Sequence, residues 1–338
     1  MANEKLRDVV DSAEKEADFL VKLLQDEQFA AAESWSRVQS CLLILRYSLA
    51  AKLIYFAQTI EPNIVAPFAE RFDDIMRSTY LKIVDVDELR EDQALQLSLP
   101  LRHGGCGLRT HAISELHRLF VSSAMLVAPA VHAATGFSVA PAPMNTQDDD
   151  ASFSSFEYAL RTSIENLSAE GISSPNFDVA GPIPATKWAS GASEKLYKKT
   201  KIALGESLEN LPHVDCEYSK ARILSCGGVG AQYLAQAPTC HLTQLSDDDM
   251  RSVIRLRLGK DTFCADICPH INADGVPCGK QCDREGRHLL SCPSGGGFFV
   301  GHDSVCATYC ELAAGADGIP GAQAAWKPRV DAWPRSTR

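Results

Sequence analysis

The chain has no surplus of positive charge. Its 33 Lys and Arg stand against 43 Asp and Glu, a formal net charge of −10. That excludes a strongly basic protein that coats nucleic acid nonspecifically, while leaving room for local basic patches. It also lacks a long apolar run. The most apolar stretch, Phe120 to Ala142, is interrupted by Pro129, His132, Gly136 and Pro141. A membrane-spanning helix needs ~20 uninterrupted apolar residues, so no membrane association is expected. The opening Met1-Ala-Asn-Glu-Lys-Leu-Arg7 is charged and has no apolar core of a secretory leader. Phosphate-binding loops and dinucleotide fingerprints are missing as well. The glycine-rich run Gly104-Gly-Cys-Gly107 has the spacing of neither.

What the chain does have is cysteine. There are twelve, and seven fall between Cys264 and Cys310. Without a leader, the expected compartment is reducing, nuclear or cytoplasmic, and clustered thiols there point to metal rather than disulfides. The densest stretch reads Cys278-Gly-Lys-Gln-Cys282-Asp-Arg-Glu-Gly-Arg-His288-Leu-Leu-Ser-Cys292. Thiolate sulfur and imidazole nitrogen are the ligands of Zn2+, and Cys3His is one of its closed structural sets. The short spacings let each pair reach one ion from a turn, and Gly286 supplies the reversal between them. Cys278, His288 and Cys292 are the expected ligands. The fourth place stays open between Cys282 and Cys268, which itself forms a short pair with Cys264. The plain alternative is a set of ordinary buried cysteines. A zinc hydrolase using His288 and Asp303 would need an open metal position, which a closed four-ligand set does not offer.

The remaining periodicity is helical, so the fold class expected is mainly α. Amphipathic spacing predicts helices over 3–25, 35–59 with Pro62 ending it, 66–84, 88–97 and 112–126. Further ones follow over 156–167, 192–211 and 220–236. Ser246 is a natural N-cap for a helix opened by Asp247, Asp248 and Asp249 at the positive end of its dipole. The polar, proline-bearing stretch 138–155 reads as an acidic linker. Its three aspartates, 148 to 150, read as solvated rather than as ligands. The domains expected are a helical thumb-like bundle over 1–137, the linker 138–155, a helical segment 156–243, a basic helix with the Cys/His knuckle over 244–310, and the segment 311–338. The loop Leu97-Ser-Leu-Pro-Leu-Arg102-His-Gly-Gly-Cys-Gly-Leu-Arg109 brings backbone segments close together. It reads either as a phosphate cradle with Arg102 and Arg109 beside it or as a tight connector.

Two of these stretches together resemble the carboxy-terminal part of reverse transcriptases encoded by non-LTR retrotransposons. The loop 97–109 is similar to that family's apolar-Pro-Leu-Arg-x-Gly-Gly-x-Gly-Leu run beyond the polymerase palm, after a helical stretch like Gln39-Ser-Cys-Leu-Leu-Ile-Leu-Arg46. The stretch from Cys278 to Cys292, continuing through Pro-Ser-Gly-Gly to His302-Asp303, resembles its cysteine–histidine knuckle. The resemblance implies a thumb, linker and knuckle region, with RNA or DNA as partner. Several family features are absent. Palm chemistry needs paired aspartates that hold two metal ions, but Asp73-Asp74 falls in a helical pattern. Asp331 stands where the first acid of an endonuclease would be, and Gly301 replaces the arginine expected before His302. The expectation is therefore a piece of such a protein with no polymerase or nuclease centre of its own. Nucleic-acid contacts are expected from Arg255, Arg257, Lys280, Arg284 and Arg287 near the knuckle and from Arg102 and Arg109 in the loop. The competing reading is a non-catalytic structural or interaction protein, or a decayed retroelement copy, that binds no nucleic acid.

Overall fold

Helix α1, Ala2–Gln25, buries one stripe: Leu6, Val10, Ala13, Ala17 and Leu20 recur every three or four residues and face the core, with acids on the outer side. Its main neighbour is α4, Pro62–Val84, which buries Phe72, Met76 and Tyr80. The computed structural model describes residues 2–26, 36–136, 138–139, 155–177, 181–228, 231, 234–239, 244–262, 267–272, 274–283 and 286–295. Arg284, Cys264, His302, Asp303, most of the acidic linker and the whole of 311–338 lie outside these residues.

The expected helix 35–59 is three pieces. Helix α2, Arg37–Ile44, passes into a π-helical turn, Leu45–Leu49, closed by a bond from Ala50 N to Leu45 O; α3, Ile54–Thr59, follows. Pro62 does not so much end this run as start α4. It is the first helical residue, where its missing N–H costs nothing. A short helix α5, Glu91–Ser98, leads into the glycine-rich loop, and α6, Ile113–Thr135, leaves it. Helix α6 was expected to stop near Leu126 but continues through Pro129; Ala124, Met125 and Ala128, just before that proline, are in the core. Helices α7 (Ser155–Ala169), α8 (Pro182–Glu209), α9 (His213–Ser225) and α10 (Asp247–Leu258) complete the set. The fold is mainly α, and no strand is present among the described residues.

Three apolar clusters hold these helices. The largest joins α1 to α5, the start of α6, Leu234 and one face of α10. The second packs Phe120, Val121 and Ala124 of α6 on Ala159, Leu160 and Leu167 of α7 and Ala192 of α8. The third sets Leu204 and Leu208 of α8 against Leu99, Cys216 and Ile223. Because α6 and α8 each serve two clusters, Met1–Gly259 forms one compact unit and Lys260–Arg338 a second. This corrects the boundaries drawn at 138–155 and at 243: helices on both sides of the linker share cores, and α10 belongs with the first unit. The stretches 37–59 and 113–135 reach the length and hydropathy of a membrane span. Their buried side chains, from Leu42 to Leu53 and from Leu116 to Ala128, belong to these clusters.

Helix α10 is fastened at both ends. Ser246 Oγ accepts the Asp249 N–H at 3.0 Å, as expected for its N-cap. The Asp247 carboxylate accepts Val38 N at 2.9 Å and Arg37 Nε at 3.0 Å, so it also caps α2. At the other end Arg257 is buried. Its Nε and Nη2 donate to Gly105 O at 2.9 and 2.7 Å, and Nη2 also reaches Leu101 O at 3.1 Å.

Candidate metal centre

In the second unit the chain doubles back on itself. Antiparallel bridges join Ile267 to Gln281 and Ile271 to Pro277. The reversal is built by Asn272, whose side-chain oxygen accepts the N–H groups of Asp274 and Val276 at 3.1 and 2.8 Å, and by Gly275 at φ 81°. Backbone bonds Cys268 N to Lys280 O and Cys278 N to His270 O, both 2.8 Å, place Cys268 and Cys278 side by side on the ribbon. Beyond it the Asp283 carboxylate accepts the N–H groups of Arg287 and His288 at 2.8 and 3.1 Å. Burial works against this carboxylate, but those two donors hold it below the ordinary range. Gly286, at φ 75°, turns the chain into the short helix α11, Arg287–Ser291, which delivers His288 and ends at Cys292.

Four ligand atoms converge here, from Cys268, Cys278, His288 and Cys292, all within 4.8 Å of one another. Cys268 Sγ lies 3.6 Å from Cys292 Sγ, and Cys278 Sγ lies 3.3 Å from His288 Nε2. Cys268 and Cys292 are buried. The arrangement can hold a metal ion. The fourth place, open between Cys268 and Cys282 in the sequence, goes to Cys268. Cys282 is one residue past the last bridge and is not in the cluster. Sequence reading passed over the signal that would have decided this: Asn272-Ala-Asp-Gly275 is hairpin chemistry, and it folds Cys268 back onto Cys278.

Sequence reasoning also missed His270. Its Nδ1 is shielded from solvent, and its ring acts on Cys292. Burial raises the Cys292 thiol, yet hydrogen bonding from His270, Ser294 and the neighbouring thiols brings it below the ordinary thiol range. Cys268 goes the other way, raised by burial and by the adjacent Cys292 and Cys278.

The cationic residues expected to meet nucleic acid belong to both units, and each has its own surroundings. Arg257 is spent inside the first unit on the carbonyls of the glycine loop and is 4 % exposed, which removes it from any surface. Arg255 binds the carbonyl and carboxylate of Asp85, and Arg102 pairs with Glu194. Lys280 is exposed on the ribbon and Arg287 is half-buried at the start of α11. Arg109 is exposed after the loop. The loop itself is a connector and not an amide cradle: the N–H groups of His103, Gly104, Gly105, Gly107 and Leu108 all donate to nearby backbone carbonyls. Asp73, set aside as a palm residue, lies in α4 and holds His111, accepting its backbone N–H at 2.6 Å and contacting Nδ1 at 2.8 Å.

No protein-family model, curated protein or solved structure matches the chain.

Proposed function

We propose that the chain binds RNA or DNA through a Zn2+-stabilised module at Cys268–Cys292, in the manner of the post-palm region that it resembles in non-LTR retrotransposon reverse transcriptases, and that it has no catalytic centre of its own. The observation that carries this is the convergence of three thiols and one imidazole from a ribbon and a helix. Two of the six separations are close to those around the ion. Tetrahedral zinc at ordinary bond lengths sets sulfur–sulfur edges of about 3.8 Å and sulfur–nitrogen edges of about 3.5 Å. The cluster has 3.6 and 3.3 Å at the two pairs given above. With four protein ligands the ion has no open position, so it supplies a cross-link and not chemistry. Among the described residues, Lys280 and Arg287, the latter beside Asp283, are then the cations of the module that lie towards phosphate.

The test has a metal arm and a binding arm. Purified chain should hold about one zinc per molecule by elemental analysis, lose it in C268S, and keep it in C282S. Loss in C282S with retention in C268S would overturn the ligand set. Filter binding of single-stranded RNA and DNA should weaken steeply between low and moderate salt, and K280E/R287E should lower affinity at least ~10-fold. Binding that ignores both salt and the double variant would sink the nucleic-acid reading in favour of a structural or interaction role.

A further inference from the structure

The first unit contains a cavity of about 510 Å³ between the π-helical turn, the glycine loop and α8. Arg46, Arg102 and Arg109 line it, with Tyr47 and Tyr197, and no acidic side chain among the described residues does. Arg46 is the unusual member. It stands in the π-helical turn Leu45–Leu49, a departure from α-helical winding that recurs at functional sites. It is 7 % exposed; Nη1 donates to Leu234 O at 2.7 Å, while Nε and Nη2 are shielded from solvent on the side of the buried Tyr80 hydroxyl and Cys106, without a well-formed hydrogen bond among the described residues. No carboxylate pairs with it there. Guanidinium stays charged in proteins, and a buried charge without a counter-charge is costly. Gly107, at φ 72°, leaves room beside this group: a Cβ there would lie 3.7 Å from Arg46 Nε.

Arg109 makes no ion pair among the described residues, although it also borders a second cavity that Glu115 and Glu170 line, and Glu194 is engaged by Arg102 and His103. The cavity therefore holds net positive charge with aromatic rings beside it. Tyr197 has the Arg102 guanidinium over its ring at 5.9 Å, whereas Tyr47 is 62 % exposed and open to a planar group. The volume falls within the usual range for small-ligand sites, roughly 300–1,000 Å³, and exceeds what a bare phosphate would fill.

We infer that this cavity is a nucleotide site: Arg109 holds the phosphate from the rim, the buried charge of Arg46 favours the anion, and Tyr47 meets the base. Guanidinium–phosphate pairing and base–aromatic stacking are the interactions these residues supply. The site shares no residue with the Cys/His module and does not rest on its function. Arg46 stabilises the anion through its charge, and Arg109 reaches it from the rim.

The test is calorimetric titration of the full, metal-loaded chain with uridine 5′-monophosphate, uridine, inorganic phosphate and oligo(U). Uridine monophosphate should bind saturably, and uridine and inorganic phosphate each at least ~10-fold more weakly. R109Q, at an exposed position, should weaken the nucleotide at least ~10-fold without altering the fold, and R46M should do the same. If R46M does not fold, R109Q decides alone. The K280E/R287E chain should bind the mononucleotide as wild type does, so failure of the knuckle reading would not be mistaken for failure here. Oligo(U) binding tighter than the monophosphate and lost in R109Q would identify a strand as the source of the nucleotide; a preference for the monophosphate would identify the free form. Absence of saturable binding, R109Q equal to wild type, or inorganic phosphate or uridine equal to the nucleotide would overturn the assignment.

Discussion

His117 shows how much one side chain can be decided by its neighbours. Its Nδ1 lies 3.0 Å from Ser163 Oγ, and that hydroxyl gives its single proton to Ala159 O at 2.7 Å. Towards His117 the hydroxyl is thus the acceptor, and Nδ1 carries the ring proton. Nε2 then accepts from the Asn166 amide at 3.2 Å. The ring is neutral in this network, and burial lowers its pKa below the ordinary histidine value. The unfolded chain therefore takes up a proton that the folded chain refuses. His117 contributes fully above the unfolded value near 6.5, and that contribution is lost as pH falls from there towards the folded value. Unfolding free energy should drop between pH 7.5 and pH 5, and H117Q should show a shallower drop. Equal pH slopes in both proteins, measured by denaturant titration, would remove His117 as the source. The same logic of neighbours separates Cys268 from Cys282: two thiols of one type and similar spacing differ only in which the ribbon turns towards Cys278.

At the scale of elements, the glycine loop is the joint on which α5, α6, α9 and α10 meet. Gln96 of α5 donates to Gly104 O and Arg257 O, both at 2.9 Å, and Arg222 of α9 donates to Gln96 Oε1 at 2.9 Å. These contacts require glycine for two different reasons. At Gly105 a Cβ would collide with the Leu99 carbonyl, a backbone group that cannot swing away. At Gly107 there is space, with the nearest atom at 3.5 Å, but φ is 72°. A backbone collision costs more than a left-handed alanine, so G105A should lose about 3 kcal/mol or more and G107A about 1 kcal/mol. Chemical denaturation of both variants measures the order; a G107A more damaging than G105A would contradict the packing described. Helix α6 belongs to the same scale. The turn before Pro129 is anchored by Ala124, Met125 and Ala128, and the helix runs on through the proline to Thr135.

For the whole molecule, the two units are stabilised by different means. All three apolar clusters belong to Met1–Gly259. Among the described residues of Lys260–Arg338, Cys268 and Cys292 are the only fully buried hydrophobic side chains. Where the described residues bury so little apolar surface, an ion held by this cluster would supply folding free energy. Chelation should leave the far-UV helix signal nearly unchanged and shift the main thermal transition by less than about 2 °C, while proteolysis within 260–295 becomes fast. A chelated chain whose main transition falls by more than about 5 °C would show that the metal supports the helical unit as well.

Local patterns in the sequence were enough for the helical class, the stripes of α1 and α4, the Ser246 cap and three of the four candidate metal ligands. Each of these rests on a local rule: a period of 3.6 residues, a cap beside an acidic first turn, a cluster of soft ligands close along the chain. It could not place the domain boundary, because shared use of α6 and α8 by two cores leaves no mark in composition. Nor could it tell Arg257 from Arg109. Both are arginines beside apolar residues, and only packing turns one inward onto the carbonyls of Gly105 and Leu101 and leaves the other at the rim of a cavity. The choice of Cys268, the neutral His117 and the uncompensated charge of Arg46 were likewise decided by the tertiary structure, since each depends on which groups far apart in sequence are brought within a few ångströms.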